Sequence, residues 1–440
     1  MIAVQKNALK IIKTLHEGGY QAFLVGGCVR DSLLNLPVVE WDITTAARPE
    51  VVSRLFPKVV PTGIEYGTVT VLLDGQTFEV TTFRADENYV DGRHPSNVVF
   101  TDDIHQDLSR RDFTINALAY DPLTKTLIDD FHGQADLKNK VIRAVGNPVE
   151  RFQEDGLRSV RACRFAAKLN FTIEPETLAA ISQTLEVTKK VAPERIHDEL
   201  EKVLSSDKPS IGLELMRQTG LLQLIMPELV TCVGVTQPEN FHKYDVYWHN
   251  LHSCDAAPKD NIILRLAALL HDISKPACKV EMTFYNHDQV GADVAQQILK
   301  RLRFSNQVIE QVSNLIRQHM FNYTSDWSDA AVRRFLRRIG GVANVPALFA
   351  LRLADTAAME HEIDSDYLKE LQARIDKIVA EANALDVKDL KVNGSDVMKT
   401  LNIPPGKKVG EVLNALLEKV LDDPSLNQRE KLLDLIKAHG

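Results

Sequence analysis

The sequence predicts an α+β fold, with a small mixed or antiparallel sheet and its helices first and an all-α remainder. Within the first 140 residues, the β-branched runs GTVTVLL and TFEVTTF flank Asp74-Gly75, a strong signal for a two-residue hairpin. From about residue 230 the pattern becomes helical. A chain of 440 residues also exceeds one hydrophobic core, so roughly two to four domains are expected.

Composition and charge narrow the class of protein. Hydrophobic residues make up 44% and charged residues 25% of the chain, as in ordinary soluble globular proteins. The five cysteines are scattered without a CxxC pair, which favours reduced thiols and a cytoplasmic location. The first residues predict an amphipathic helix rather than a signal peptide, and no window is apolar enough to span a membrane. Because the net charge is −8, any nucleic-acid contact depends on local basic faces.

Residues 23–45, FLVGGCVRDSLLNLPVVEWDITT, contain the first candidate site. A predicted strand leads into Gly26 and Gly27, and a short helix that contains Arg30 and Asp31 follows. Glycines at the start of a helix suit a phosphate group.

Three carboxylates are predicted on the strands that follow. A second strand carries Glu40 and Asp42, and since alternate side chains of a strand face the same way, these two point together. The strand FEVTTF adds Glu79. Carboxylates that converge at adjacent strand ends form an oxygen-rich site suited to Mg²⁺. Together with the glycine motif they suggest two-metal phosphoryl or nucleotidyl transfer.

A third motif, DLSRRDFTINALAYD, places two guanidiniums before a predicted apolar helix. Arg110 and Arg111 at a helix start suit a triphosphate. Asp112 suits a ribose hydroxyl, and the predicted helix includes Asn116.

A fourth motif, EDGLRSVRACRF, places Asp155, Arg158 and Arg161 on one face of a predicted helix. The carboxylate of Asp155 accepts from an exocyclic amine, and the guanidinium of Arg158 donates to a ring acceptor. Cytosine and adenine present an amine beside an acceptor, whereas uracil and guanine would leave buried polar groups unpaired. This pair is therefore suited to select C and A without a nucleic-acid template.

Each motif alone also fits a structural role. Glycine pairs before helices are common, and acid-x-acid in a strand is often a solvated edge. The arginines fit a charged helix terminus, and Asp155 with Arg158 fits a surface ion pair. The polar segment 84–100 predicts a mobile loop, either an ordinary surface loop or a lid on a bound nucleotide. The combination of motifs at this spacing favours the functional interpretation.

Four motifs in order resemble the class II tRNA nucleotidyltransferases, the CCA-adding enzyme family. They are LVGGCVRD with EWD, RRDFTINALA, EDGLRSVRACRF and PERIHDELEKVL, and they cover about the first 200 residues. The resemblance implies a nucleotidyltransferase palm followed by a helical neck, body and tail that hold the tRNA acceptor end. It also implies that CTP and ATP are substrates and that Mg²⁺ is the palm cofactor.

The resemblance implies a role for each of these residues. Asp155 and Arg158 would template the incoming base. Glu40 and Asp42 would hold Mg²⁺ and act with Glu79 in catalysis, while the tRNA 3′-hydroxyl attacks the α-phosphate and pyrophosphate leaves. The predicted nucleotide-binding residues are Gly26, Gly27, Arg30, Asp31, Arg111, Asp112, Asn116, Asp155, Arg158 and Arg161.

One residue departs from the family pattern. The family has Asp-x-Asp where this chain has Glu40-Trp41-Asp42. Glutamate is still an oxygen ligand but is one methylene longer, and Mg²⁺ tolerates little geometric slack. Glu40 is therefore expected to shift the metal or to bind it through water.

The helical half contains a series of histidines and acids whose chemistry differs from that of the palm. Neutral imidazoles with carboxylates suit a transition metal better than Mg²⁺. LLHDISKP resembles the signature of HD-superfamily metal phosphohydrolases. The resemblance implies a divalent Mn²⁺, Ni²⁺ or Fe²⁺ site, with a degenerate helical spacer as the alternative. The series is His242, His249, His252, His271, Asp272, His287, His319 and Asp355, of which His249, His271, Asp272 and Asp355 are the implied ligands, with His287 and His319 as a possible second metal site.

Two basic stretches lie in the second half of the chain. Arg333, Arg334, Arg337 and Arg338 form a basic helix that either contacts phosphate or is solvated. An amphipathic helix is expected from 360 to about 385, and Lys407-Lys408 open a helix near a glycine, where a tRNA phosphate could bind. The predicted division is palm 1–140, neck with the base-templating motif 141–225, HD-type body 226–360 and tRNA-binding tail 361–440.

The sequence thus predicts CCA addition to tRNA from CTP and ATP, with an HD-type phosphatase or phosphodiesterase side activity at RNA ends. CC-adding and A-adding enzymes and poly(A) polymerases share the first motifs and stay as alternatives. The full-length segment 84–100 argues against a CC-only enzyme, which has this segment shortened. A different class of function is an RNA-end HD phosphohydrolase whose palm is inactive because of Glu40.

Overall fold

The computed structural model describes residues 2–89, 95–238, 243–359, 366–381 and 384–438. His242 and the tip of the predicted loop 84–100 lie outside these residues. The chain forms two compact units, Met1–Val230 and Thr231–Gly440. The division into palm, neck, body and tail stays a prediction. No helix among the described residues has the length and apolar character needed to cross a membrane.

The first unit is built on a mixed seven-stranded sheet, as the sequence predicts. Its order is β3-β4-β5-β2-β1-β8-β9, with β2 and β5 parallel and the other neighbours antiparallel. The strands are β1 (Ala22–Val25), β2 (Ile43–Thr45), β3 (Val59–Gly63), β4 (Thr68–Leu73), β5 (Gln76–Thr82), β6 (Arg84–Tyr89), β7 (Pro95–Phe100), β8 (Ala119–Asp121), β9 (Thr126–Ile128), β10 (Val141–Ile142) and β11 (Thr172–Ile173).

Helices pack around this sheet, and the last part of the first unit is made of helices without a sheet strand. One core cluster joins Phe23 of β1 and Phe83 to Leu108, and the two phenyl rings stack with centroids 6.1 Å apart. The helices are α1 (Lys6–Glu17), α2 (Gly27–Leu33), α3 (Pro49–Leu55), α4 (Ile104–Ser109), α5 (Gly133–Asn139), α6 (Pro148–Glu154), α7 (Leu157–Leu169), α8 (Pro175–Gln183), α9 (Leu185–Thr188), α10 (Pro193–Leu204), α11 (Pro209–Gln218), α12 (Leu221–Ile225) and α13 (Pro227–Val230).

The predicted strand through Glu40 and Asp42 is wrong, because β2 begins only at Ile43. The last bond of the ladder runs from the Val25 amide to the Asp42 carbonyl, at 3.1 Å. Beyond it, Gly26 has a φ of 70°, a conformation that glycine tolerates, and turns the chain into α2. Residues before Asp42 therefore have no stretch of β1 with which to pair.

The predicted helix after Arg110 and Arg111 is also wrong. These arginines follow the C-terminal end of α4, where the helix dipole favours cations, and not a helix start. Thr114–Asn116 form a single 3-10 turn, after which β8 pairs with β1. Pairing with the central strand of the sheet outweighs the helical tendency of this apolar run.

The segment 84–100 is not a loop over its described length. Its two arms, β6 and β7, pair antiparallel from Arg84 opposite Phe100 to Tyr89 opposite Pro95. The β-branched residues at the end of the segment favour a strand there. The first arm is polar, so the sequence alone suggested a loop instead of a hairpin.

The second unit is helical, as predicted, with one small hairpin. Helix α21 forms the described core of the amphipathic helix expected between residues 360 and 385. The elements are α14 (Val246–Ala256), α15 (Ile262–Leu270), α16 (Lys275–Cys278), β12 (Lys279–Val280), β13 (Thr283–Phe284), α17 (His287–Arg301), α18 (Asn306–Gln318), α19 (Asp329–Arg338), α20 (Val345–Ala357), α21 (Asp366–Ala380), α22 (Gly394–Leu401), α23 (Lys407–Asp422) and α24 (Arg429–Lys437).

The basic helix α19 packs against α23 instead of presenting all its arginines to phosphate. The Arg333 guanidinium, in a residue only 5% exposed, donates to the Leu421 carbonyl at 2.7 Å. Arg334 forms ion pairs with Glu418 and Asp422 at 3.1 and 2.6 Å. Much of the charge of α19 is therefore balanced by the acidic face of α23, while Arg334 and Arg338 are exposed, and contact with phosphate stays a prediction.

This packing predicts that adjacent arginines differ in their effect on stability. Arg333→Ala leaves buried C-terminal carbonyls of α23 without a donor and should lower the free energy of unfolding by about 1.5–3 kcal/mol. Arg334→Ala removes half-exposed ion pairs and should cost less than about 1 kcal/mol. Urea unfolding followed by circular dichroism measures both variants, and equal losses would contradict this account of the helix.

Candidate functional site

A cavity of about 480 Å³ in the first unit is lined mainly by charged side chains. Seven arginines and four acidic residues surround it. An excess of fixed guanidiniums suits a polyanion such as a triphosphate. The lining residues are Gly26, Gly27, Arg30, Glu40, Asp42, Arg110, Arg111, Asp112, Asn116, Asp155, Leu157, Arg158, Arg161, Arg164, Phe165 and Arg195.

Most of the residues singled out in the sequence for this half of the chain line the cavity. Asp31 and Glu79 are not among the lining residues. Asp31 contacts a lining residue instead, since its Oδ1 accepts from Nε of Arg30 at 2.7 Å. Arg30 in turn donates through Nη1 to the Asn116 amide oxygen at 2.6 Å. Asp31 therefore orients a cavity arginine.

Asp112 connects the turn after α4 to helix α7. Its Oδ2 accepts from Nε and Nη2 of Arg161 at 2.9 and 2.6 Å, and its Oδ1 accepts from the Asn116 amide at 3.0 Å. Burial alone would raise the pKa of Asp112, but the Arg161 guanidinium and these hydrogen bonds hold it well below its usual range. The carboxylate is therefore ionised, and its bonds place Arg161 at the cavity.

Asp107 holds the two arginines that follow α4, although it does not itself line the cavity. This fully buried carboxylate forms ion pairs with Arg110 at 2.7 Å and with Arg111 at 3.1 Å. Burial opposes its ionisation, but the two guanidiniums outweigh burial and lower the pKa of Asp107. The sequence analysis missed this role, for which the spacing to Arg110 and Arg111 was the available signal.

Glu40 and Asp42 line one side of the cavity, although they lie ahead of a strand. Glu79 lies on β5 one residue before Val80, which pairs with Ile43, so Glu79 is level with Asp42 on the neighbouring strand. Burial, followed by the negative charge of Glu79, raises the pKa of Asp42 to about 6. The carboxylates of Asp42 and Glu79 are therefore near enough to repel each other, which is the situation that a cation relieves.

Asp155 and Arg158 both line the cavity but do not pair with each other. Asp155 caps the break between α6 and α7 and forms two bonds with Arg195, at 3.2 and 2.7 Å. Arg158 bonds to Glu154 and donates to the carbonyls of Arg151 and Arg110 at 2.9 and 3.0 Å. The predicted single helical face is thus corrected, since a non-helical Asp155 separates two helices.

These bonds orient the two side chains and leave them capacity to bind a base. The Asp155 Oδ1 accepts from Arg195 and from the Leu157 amide, while its Oδ2 accepts one bond from Arg195. A carboxylate oxygen has room for about two bonds, and a guanidinium has five N–H donors, of which Arg158 uses three here. Among the described residues, an acceptor position of Asp155 and a donor of Arg158 are therefore left over, and both residues line the cavity.

Helix α7 carries further cavity residues that the sequence analysis did not select. Arg164, one turn beyond Arg161, lies 3.9 Å from the centroid of the Phe165 ring, over which Arg30 also lies at 5.1 Å. Arg164 contacts the buried Glu199 of α10 at 2.5 Å. The repeat of arginines at every third position of α7 was the available signal for this residue. Arg195 of α10, which belongs to the motif PERIHDELEKVL, also lines the cavity.

The second unit gathers the predicted HD residues into two buried groups whose ligand atoms lie within 4.8 Å of one another. In the first group, His249 Nε2 lies 3.2 Å from His271 Nε2 and 3.0 Å from Asp355 Oδ1. The second group consists of Asp272, His287 and His319. All six predicted side chains are therefore together, and they are the triads found among the described residues.

Asp272 lies between the two groups. Its Oδ2 is 3.3 Å from His271 Nε2, and its Oδ1 is 3.3 Å from His287 Nε2. Lys275 also contacts Oδ2, at 2.6 Å. A carboxylate with one oxygen toward each group is suited to bridge two metal ions.

The histidines are held so that their Nε2 atoms face inward. Nδ1 of His271, His287 and His319 lies 2.8, 2.7 and 2.6 Å from the carbonyl oxygen three residues earlier, so each N–H donates there. Such a bond sets the tautomer that leaves Nε2 as a metal ligand. Burial would lower the pKa of His271, but Asp272 and Asp355 raise it to about 10, while burial and the charge of His271 lower the pKa of His319 to about 4.

Comparisons with known proteins agree with this fold. Family models match residues 22–143 (Poly A polymerase head domain), 170–232 (Probable RNA and SrmB- binding site of polymerase A) and 283–436 (tRNA nucleotidyltransferase domain 2 putative). The CCA-adding enzyme of Enterococcus faecalis is 34% identical over 98% of this chain and 95% of its own length. That of Pediococcus pentosaceus is 34% identical over 98% and 97%. The crystal structure of the Bacillus stearothermophilus CCA-adding enzyme in complex with CTP is 29% identical, covers 98% of this chain and 96% of its own, and superposes with a TM-score of 0.75. The chain therefore belongs to the class II CCA-adding enzyme family.

Proposed function

We propose that this chain adds C, C and A to the 3′ end of tRNA, using CTP and ATP and no nucleic-acid template. The observation that carries the proposal is the arginine-rich cavity that presents Asp155 and Arg158 beside Glu40 and Asp42. The names of the relatives and the CTP in the Bacillus stearothermophilus structure support the same activity.

Different side chains of the cavity bind the triphosphate and the base of the nucleotide. Arg110 and Arg111, fixed by Asp107, bind the triphosphate, and Arg161, fixed by Asp112, extends the same positive surface. Glu40 and Asp42 offer the carboxylate oxygens that Mg²⁺ prefers. When bound there, two Mg²⁺ ions would activate the tRNA 3′-hydroxyl and stabilise charge on the α-phosphate and the pyrophosphate.

The base is selected by hydrogen bonding rather than by shape, because a wrong base leaves polar groups unpaired. The Asp155 carboxylate accepts the exocyclic amine of cytosine or adenine, and Arg158 donates to the adjacent ring nitrogen. Uracil and guanine present a carbonyl to the carboxylate and an N–H to the guanidinium. Each such mismatch leaves a buried group unsatisfied, which costs about 1–3 kcal/mol.

Three tRNA substrates, ending before CCA, after C and after CC, test the activity when each receives CTP, ATP or both. We expect additions that complete CCA and then stop, with UTP and GTP refused. Addition that stops after CC, or that supplies only the terminal A, would show a CC-adding or A-adding enzyme. A long ladder of A would show a poly(A) polymerase.

A substitution at Glu40 distinguishes an active palm from an inactive one. In an active palm Glu40 already serves as a ligand, so Glu40→Asp should change the rate of nucleotide addition by less than about tenfold. The same single-nucleotide gel assay measures this. A gain of several orders of magnitude would mean that Glu40 inactivates the palm and would support the rival function, an RNA-end hydrolase.

The raised pKa of Asp42 predicts a pH limit on Mg²⁺ binding. Mg²⁺ needs the ionised carboxylate, so the affinity should be full well above pH 6 and fall about tenfold per pH unit below it. Calorimetric titration from pH 5 to 8 in an Asp272→Asn background, which disables the other cluster, isolates this site. Glu79→Gln removes a repulsive charge and should move the fall to lower pH. Equal affinities at pH 5 and pH 7 would contradict the assignment of Asp42.

We further propose that the buried cluster of the second unit is an HD-type site that hydrolyses 2′,3′-cyclic phosphodiesters or phosphomonoesters at RNA ends. The observation that favours it is the complete set of six inward-facing ligands, with Asp272 between the two triads. A transition metal such as Mn²⁺, Ni²⁺ or Fe²⁺ bound there would lower the pKa of a coordinated water. Hydrolysis of damaged ends would prepare a tRNA for nucleotide addition.

Metal content and turnover together test this second activity. After dialysis against Mn²⁺, the wild type should hold about two ions at this cluster and hydrolyse a 2′,3′-cyclic phosphate substrate. Asp272→Asn should lose both the metal and the hydrolysis while CCA addition persists, which controls for folding. Absence of bound metal and of turnover with any of the three ions would leave the cluster as a structural spacer.

A further inference from the structure

We propose that a second cavity, of about 860 Å³ and formed by helices of the second unit, binds a small hydroxyl-rich phosphate compound such as a phosphorylated sugar. Among the residues described around it, none lines the arginine-rich cavity and none belongs to the metal cluster. The inference is therefore independent of both proposed activities. A concave site of this volume suits a small molecule.

The lining of this second cavity combines many carboxamides with an excess of positive charge. Seven of the described lining side chains are Asn or Gln, three are basic and one is acidic. A carboxamide both donates and accepts hydrogen bonds, as hydroxyl groups require, and the cations suit a phosphate. None of these lining side chains is aromatic, so a nucleobase would have no ring on which to stack. The lining therefore favours a phosphorylated sugar over a nucleotide.

Two of the three cations are available to an anion. Lys300 lies near the end of α17 and Arg338 at the end of α19, and both are exposed. The Arg338 guanidinium lies 5.8 Å from the centroid of the Phe335 ring, and within the described ranges neither cation forms an ion pair. Only the third, Arg317, is engaged, since it pairs with Asp293 at 2.9 Å. A phosphate group at the cavity would supply the missing partner.

Two of the carboxamides are held in place by a single carbonyl group. The Nδ2 atoms of Asn314 and Asn344 donate to the Ile339 oxygen at 2.9 and 2.8 Å. Gly340 permits this approach, because its φ is 87° and a Cβ there would lie 2.9 Å from the Asn344 amide nitrogen. The two amide oxygens accept no bond from any residue that the structure describes. They are thus fixed acceptors for the hydroxyl groups of a ligand.

A buried hydroxyl in the same lining is also unsatisfied. Ser313, next to Asn314 on α18, is only 1% exposed, and its Oγ forms no hydrogen bond in the described part of the chain. Buried polar groups in folded proteins nearly always have a partner, and an exception needs an explanation. A ligand in this cavity provides one.

Hydrogen–deuterium exchange of the full chain, with glucose 6-phosphate as the probe, tests the binding and its place. EDTA is present so that neither proposed metal site can act on the phosphate. We expect slower exchange in residues 306–317 and 340–347, with less protection from glucose alone or from inorganic phosphate alone. Absence of protection in these two segments would overturn the proposal, even if tRNA protects them. Equal protection by inorganic phosphate would also overturn it, because that ion has no sugar hydroxyls.

The same protection, followed against probe concentration, gives the affinity at this cavity alone. Lys300→Ala combined with Arg338→Ala removes two charged donors and should weaken binding at least about tenfold. Arg334→Ala is the matched control, since Arg334 is exposed on the same helix but is not among the lining residues, and it should leave the affinity unchanged. Equal losses in the two proteins would show a general attraction to α19 and would contradict the proposal.

Ser313→Ala separates a role in binding from a role in folding. The Ser313 hydroxyl has no partner in the free protein, so its removal should not lower the midpoint of thermal unfolding. The affinity for glucose 6-phosphate should fall about fivefold, because one hydrogen bond to the ligand is lost. A lower midpoint with an unaltered affinity would show that the hydroxyl serves the fold, and would contradict the proposal.

Discussion

The cavity of the first unit depends on the neutralisation of arginines by buried carboxylates. Asp107 holds Arg110 and Arg111, and Asp112 holds Arg161. Removing one member of such a buried pair leaves an uncompensated charge and costs about 3–5 kcal/mol, so the pairs also constrain where the helices can lie. The cavity lining keeps an excess of positive charge, which a bound triphosphate would balance. The same contacts therefore fix the helices and create the binding surface.

The second unit contains a cluster of potential metal ligands instead of an excess of positive charge. There the imidazoles and carboxylates are brought together with their Nε2 and oxygen atoms facing inward, and backbone carbonyls hold the outer nitrogens. The raised pKa of His271 and the lowered pKa of His319 reflect a cluster of ligands whose charges compete for the same space. A bound cation relieves this competition, because it attracts the ionised carboxylates and is coordinated by imidazoles in their neutral form. One chain thus contains a cavity suited to a polyanion and a separate cluster suited to metal ions.

The sequence predicted the α+β fold because strand alternation and the Asp74-Gly75 turn are local signals. It also identified most of the residues that line the cavity. A motif of charged residues at a fixed spacing can be recognised even where the predicted secondary structure around it is wrong. What it missed depends on distant contacts: the start of β2 is set by the turn at Gly26, and Asp155 pairs with Arg195, 40 positions away, rather than with Arg158. The ion pairs of α19 were missed for the same reason, because the acidic residues of α23 that contact its arginines lie some 80 residues later.

We infer that the protein itself recognises the base, through Asp155 and Arg158 held by Arg195 and Glu154. Equilibrium dissociation constants for CTP, ATP, UTP and GTP, measured with Mg²⁺ and without tRNA, test it most directly. We expect CTP and ATP to bind at least about tenfold more tightly than UTP and GTP, because each mismatched base leaves buried polar groups unpaired. Four equal dissociation constants would show that the cavity holds only the triphosphate and ribose, and would contradict the claim.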